Sequence, residues 1–140
     1  MIGIVIVAHG GLAPEYLKAV EHVVGPMENA KAITIGPDDT RASKQQDINT
    51  AVASVDTGDG VVVITDMFGG TPSNLAMGAC ERSDRKVLYG VNLPLMVKLA
   101  KARNKPLDVA VACAVDAGRK YINCADQVGI DAMNGSAVSA

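Results

Sequence analysis

VVVIT at residues 61–65, running into Asp66-Met67-Phe68-Gly69-Gly70-Thr71-Pro72-Ser73-Asn74, decides the fold. Five apolar or β-branched residues are too few for an independent helix and suit a strand buried on both faces. The strand ends in a carboxylate. The glycines after it lead to Thr71 as an N-cap with Pro72 at the first helical position, opening a helix predicted to run to about Glu81. The same grammar begins the chain, where IGIVIVA at residues 2–8 stops at His9-Gly10-Gly11.

Outward from these two runs, strands and helices alternate. Residues 14–24 read as a helix, with Pro14 in its first turn, Leu17, Val20 and Val24 on one face, and Gly25-Pro26 as its stop. Residues 32–35 form a short strand closed by Gly36-Pro37. Asp38-Asp39-Thr40 offer caps for a helix through Val55, whose Ile48, Ala51, Val52 and Val55 share a face. KVLYG at 86–90 is a fourth strand. Residues 93–103 are a helix with Leu95, Leu99 and Ala102 in register. A last helix at 106–117 presents Leu107, Val111 and Ala114, with Gly118 as its stop. Residues 121–125 form a short fifth strand. Strands each followed by a helix require a parallel sheet, because parallel neighbours need crossover connections. The predicted fold is α/β and doubly wound: a mainly parallel four-stranded sheet with helices on both faces. One domain spans residues 1–129, and the small polar stretch 130–140 is expected to fray.

Composition removes several classes of function. A chain of 140 residues supports one domain that buries roughly 70 % of its unfolded surface. A formal net charge of −2 argues against non-specific nucleic-acid binding. One Phe, three Tyr and no Trp leave few stacking platforms for bases or sugar rings. No apolar run approaches the ~18 residues that span a bilayer, and the apolar start lacks the basic n-region of a signal peptide. Cys80, Cys113 and Cys124 are odd in number and widely spaced, which fits reduced thiols acting as small buried hydrophobes in a cytoplasmic protein. No metal site is expected.

The two long strands put His9 and Asp66 at the carboxyl edge of one sheet if the strands are neighbours, and that edge is where open α/β sheets keep their chemistry. Gly10-Gly11 keep side-chain bulk away from His9. A carboxylate beside the imidazole would accept Nδ1–H, fix the tautomer and free Nε2 as a nucleophile. Alone, Asp66 reads as a turn-former; paired with His9, it reads as the orienting group. Gly69-Gly70-Thr71-Pro72-Ser73-Asn74 opens a helix, whose exposed N–H groups and dipole suit an anion. It has neither the P-loop nor the dinucleotide pattern, so no nucleotide cofactor is indicated. Asn92, after the fourth strand, either donates to the site or shapes the turn into the next helix. His22 lies opposite its helix's apolar face and reads as solvated. These parts point to a histidine that carries a phosphoryl group.

In order and spacing, the strand ending at His9-Gly10, the stretch 66–74 and Gly90-Val91-Asn92-Leu93-Pro94 resemble the IIA domain of the mannose-type sugar phosphotransferase system, over about residues 1–125. The resemblance implies a cytoplasmic phosphocarrier without a cofactor. The histidine matching His9 takes a phosphoryl group from the carrier protein HPr and hands it to a IIB component. The residue matching Asp66 supports that histidine, and the hydroxyl matching Thr71 contacts the phosphoryl group. Gly10, Gly69, Gly70 and Ser73 complete the expected phosphoryl-binding set, with Phe68 and Asn92 at its edge. The resemblance also implies a homodimer in which the C-terminal strand, here around 121–125, is exchanged.

Familiar members carry a Trp where Phe68 stands and bulkier residues near Gly11, so a different docking surface is expected. Many continue into a fused IIB domain, whereas this chain ends. A regulatory sensor of phosphorylation state, binding a target without moving sugar, is therefore the alternative reading. A tetrapyrrole metal chelatase would need a second imidazole or an acidic cluster at the same edge. A histidine phosphatase would need Arg before His9, where Ala8 stands.

Overall fold

Successive residues of β1 (Gly3–His9) point into two different cores. Ile4, Ile6 and Ala8 enter one and Val5 and Val7 the other, all without solvent exposure, because strand side chains alternate between faces. The computed structural model describes residues 1–125. After β1 come α1 (Leu12–Val24), β2 (Ala30–Ile35), α2 (Arg41–Val55), β3 (Val61–Thr65), α3 (Thr71–Gly78), β4 (Arg85–Leu88), α4 (Leu93–Lys101) and α5 (Leu107–Lys120).

The four strands pair in parallel in the order β2-β1-β3-β4. One core joins Ile4, Ile6, Val62, Ile64 and Leu88 to Val20 of α1, Leu95 and Leu99 of α4 and Ala110 and Ala114 of α5. The other joins Val5, Val7, Val61 and Val63 to Ile48, Val52 and Val55 of α2 and Leu75 and Ala76 of α3. Helices thus cover both faces, as the double winding requires. Among the described residues no helix is long and apolar enough to cross a membrane.

Several boundaries differ from expectation. The first helix starts at Leu12 with Gly11 as its N-cap, and β2 begins at Ala30. In α3 the N-cap is Gly70 rather than Thr71, and the helix ends at Gly78 rather than near Glu81. A glycine weakens the final turn, and the chain must turn back within a few residues to start β4 at Arg85. β4 stops at Leu88 because Gly90, at φ +73°, turns the backbone away. α4 ends at Lys101, two residues early.

Gly118 is not a helix stop. α5 runs through it to Lys120, and the glycine is used for close packing: a Cβ there would stand 3.1 Å from Leu95 Cβ and 3.3 Å from Asn92 Oδ1. No strand forms at 121–125. Tyr121 caps the end of α5 and Ile122 N–H bonds back to Arg119 O, so within one chain this segment pairs with no strand, although Ile122 borders the groove beside β4. The tail expected at 130–140 lies outside the described residues. Cys80 and Cys113 are half-buried, but Cys124 is exposed rather than buried. Burial pushes the Cys80 thiol up to about 11, against the opposing pull of Arg85, so it stays protonated and unreactive near neutrality.

Candidate functional site

From the carboxyl end of β1 the chain turns to one side of the sheet, toward β2; from that of β3 it turns to the other, toward β4. A crevice opens where the two connections diverge, the usual ligand position in an open α/β sheet. His9 is the last residue of β1 and Asp66 the first after β3, and the pairing of Val7 with Thr65 sets them on opposite walls of this crevice.

They meet. His9 Nδ1 lies 2.7 Å from Asp66 Oδ2, and the same oxygen accepts the His9 backbone N–H at 3.0 Å. Asp66 Oδ1 accepts the Met67 N–H at 2.9 Å. Burial pushes the Asp66 carboxyl up, but the His9 backbone N–H, the imidazole and the Met67 N–H outweigh it and hold the carboxyl below its ordinary value. A carboxylate is acceptor-only, so its short contact assigns the proton to Nδ1 and leaves the Nε2 lone pair open. The His9 side chain is 50 % exposed and that of Asp66 only 13 %, so the imidazole faces outward while the carboxylate lies behind it.

The loop before α3 borders Nε2. A Cβ on Gly70 would stand 3.3 Å from Nε2 and 3.1 Å from Cε1, so a side chain there would press the imidazole aside by a few tenths of an ångström. Among the described residues, the N–H groups of Gly70 and Thr71 have no protein partner, and both belong to the positive end of α3. The other members of the expected phosphoryl-binding set are engaged elsewhere. Gly10 N–H donates to Ile35 O at 3.3 Å. Gly69 N–H donates to Ser73 Oγ at 2.9 Å, and Ser73 Oγ donates to Gly70 O at 3.0 Å. Ser73 is 0 % exposed, so its hydroxyl is a part of the loop and not of the crevice lining.

Asn92 shapes the turn. Its Oδ1 accepts Leu95 N–H at 3.0 Å as the N-cap of α4, and its Nδ2 donates to Gly118 O at 2.9 Å, which consumes the side chain in joining α4 to α5. His22 is exposed on α1, away from the crevice. Phe68 is 63 % exposed and packs against Tyr89, ring centroids 5.1 Å apart, with exposed Met67 alongside in sequence. Such a solvent-facing apolar cluster beside a reactive group suits contact with another protein. Sequence reading missed Tyr89 and the bracing role of Ser73. The first signal was a tyrosine at the same sheet edge; the second was a hydroxyl three residues after the N-cap, the offset of a capping box. Among the described residues no group of three or more His, Cys, Asp or Glu side chains is placed to hold a metal.

The sequence matches the family described as PTS system fructose IIA component (EIIA-man) over residues 3–114. It is 34 % identical over 124 residues to the PTS system mannose-specific EIIAB component of Escherichia coli (strain K12), covering 86 % of this chain and 38 % of that one. The chain thus spans well under half the length of that relative. Against the PTS system sorbose-specific EIIA component of Lacticaseibacillus casei it is 28 % identical over 102 residues, covering 72 % and 73 % of the two chains. The crystal structure of phosphotransferase system component EIIA from Streptococcus agalactiae superposes with a TM-score of 0.80 at 26 % identity, covering 89 % of this chain and 97 % of that one.

Proposed function

The chain belongs to the PTS fructose IIA component family (EIIA-man), and on that premise we propose that it is a phosphohistidine carrier working in the cytoplasm between an HPr-like donor and a IIB acceptor. Nε2 of His9 attacks the phosphorus of the donor's phosphohistidine. The donor's N–P bond breaks as the new one forms, and Asp66 keeps the Nδ1 proton and faces the positive charge that develops on the ring. Free N–H groups at Gly70 and Thr71 receive the phosphoryl oxygens. Transfer onward reverses these steps. The observation that carries this reading is the 2.7 Å contact between His9 Nδ1 and Asp66, which leaves Nε2 open beside a helix N-terminus.

Intact mass after incubation with phosphorylated HPr tests it. One phosphoryl group should appear, vanish on brief acid treatment, and be absent from His9→Ala. An acid-stable adduct, or full modification of His9→Ala, overturns the assignment. Capture of a IIB protein that becomes phosphorylated supports the transport role. A partner held by only one phosphorylation state, and never phosphorylated itself, replaces that role with a regulatory one.

The same premise supports a homodimer completed by exchange of the segment near 121–125. β4 is an edge strand, Ile122 is 73 % exposed, and a groove of about 270 Å³ lies between β4 and α5, lined in part by Tyr89, Leu95 and Val115. Light scattering should give a dimer for the full chain and a monomer for a chain ended at Gly118. A full-length monomer at micromolar concentration contradicts the exchange.

A further inference from the structure

We infer that Ser73 is a positioning residue for phosphoryl transfer, acting through the backbone of Gly69, Gly70 and Thr71 rather than by touching the phosphoryl group; this rests on the carrier reading above. Ser73 is the third residue of α3 and has no solvent exposure. Its hydroxyl makes two bonds in opposite senses, accepting Gly69 N–H at 2.9 Å and donating to Gly70 O at 3.0 Å. Gly70 O also accepts Asn74 N–H at 3.1 Å, the first bond of the helix ladder. Two donors therefore fix the carbonyl of the Gly70–Thr71 peptide pointing into the helix.

A trans peptide is planar, with its N–H opposed to its C=O. Holding Gly70 O inward consequently holds Thr71 N–H outward, beyond the helix end that borders His9 Nε2. The other bond fixes the peptide on the far side of Gly69. This matters because Gly69, at φ +95°, and Gly70 are the two residues of the loop with the widest choice of backbone conformation. Without the hydroxyl, the segment would have to be ordered each time a phosphoryl group arrives. A donor fixed beforehand avoids that reorganisation.

Gly69 N–H illustrates the selectivity of the arrangement. One amide is consumed by Ser73 so that its neighbours stay aligned and free. A hydroxyl that served α3 stability alone would contribute equally to the phosphorylated and free protein. A positioning hydroxyl favours the phosphorylated form, and the transfer equilibrium reads that difference directly.

The test compares full-length wild type, Ser73→Ala and Ser73→Thr. Phosphorylated HPr is the donor, and the measurements are the transfer equilibrium constant, kcat, KM and the melting midpoint. Ser73→Ala should shift the equilibrium toward phosphorylated HPr by about 5- to 10-fold, the scale of one ordinary hydrogen bond. It should lower kcat by a similar factor and leave KM for HPr unchanged, since a residue with no exposed surface cannot touch the docking partner. Ser73→Thr should recover most of the loss. An unchanged equilibrium constant in folded Ser73→Ala overturns the inference and leaves the carrier reading intact, as does a change confined to the melting midpoint or to KM. Absence of phosphohistidine in the wild type overturns the carrier reading and the inference together.

Discussion

The two ends of the sheet use similar polar chemistry for opposite purposes. At the amino end, Arg103 donates from Nε to Ile2 O at 2.8 Å and from its guanidinium to Asn29 O at 2.9 Å, while its own carbonyl accepts Ile2 N–H at 2.9 Å. Nearby, the Met1 ammonium is held by Asp59 and Thr57. Polar groups there are spent on fixing where β1 and β2 begin. At the carboxyl end, Asp66 likewise gathers three N–H groups, but one belongs to an imidazole whose second nitrogen remains open. The difference between a clamp and a reactive site is what remains unspent after folding.

Removing the clamp sharpens the contrast most. Arg103 is 6 % exposed and bonded to two carbonyls, so Arg103→Ala should cost about 3 kcal/mol of stability by leaving both acceptors short of a partner and emptying packed space. Denaturant unfolding measures that loss. Phosphoryl transfer by the folded variant should be unaffected, because the change lies at the opposite end of the strands. A transfer defect that persists in fully folded protein would show that the two ends are coupled and would break the comparison.

Asp66→Asn probes the other end. Oδ2 accepts two N–H groups and Oδ1 one, so the amide oxygen of the variant is best placed at Oδ2, with its NH2 facing the Met67 N–H. The imidazole tautomer then survives, but the negative charge that the proposed carrier role assigns to supporting a phosphorylated ring is gone. Transfer should slow by about 10²-fold, less than where the tautomer itself is reversed. Stopped-flow transfer from phosphorylated HPr checks the factor, and unchanged kinetics would reduce Asp66 to a turn former. The folded Asp66 carboxyl titrates below its ordinary value, so its stabilisation is complete above about pH 4 and is lost as pH falls through the lowered pKa. Wild type should therefore be more stable than the variant near neutrality, and the gap should close in acid.

What could be read from the sequence follows the same division. Short continuous apolar runs at 2–8 and 61–65 identified the two central strands, since full burial on both faces leaves few alternatives. The double winding came from the alternation of strands with helices, and the pairing of His9 with Asp66 from where those strands stop. Helix ends were less legible. Gly118 carries the usual signal of a stop, yet tertiary packing against Leu95 and Asn92 accounts for the glycine. Ser73 looked like an anion ligand because its residue type and its place at a helix start suit that role. Its burial depends on how α3 settles against the sheet, which local sequence does not state. Asn92 was ambiguous for the same reason, because its partner Gly118 is 26 residues away.

The smallest expected effect concerns Thr65, the last residue of β3. It is 0 % exposed, and its Oγ1 has no hydrogen-bond partner, although the backbone O of the same residue accepts Val91 N–H at 3.3 Å. By the alternation of β3, the side chain lies on the same face as Val61 and Val63, which is apolar. Val matches the shape of Thr and removes the orphaned hydroxyl, while the backbone bond to Val91 is untouched. Since an unsatisfied buried hydroxyl costs roughly 1–3 kcal/mol, Thr65→Val should gain about 1 kcal/mol after modest repacking. For a chain of this size that is a rise of about 4 °C in Tm. A stabilised variant would identify Thr65 as a local cost carried at the reactive end of the sheet, comparable to Asp84 Oδ1 and Arg85 Nε, which are likewise buried without partners at the amino end. A loss of stability would mean that the hydroxyl is satisfied in solution, leaving the open nitrogen of His9 and the free amides beside it as the polar groups that the carboxyl end keeps unspent.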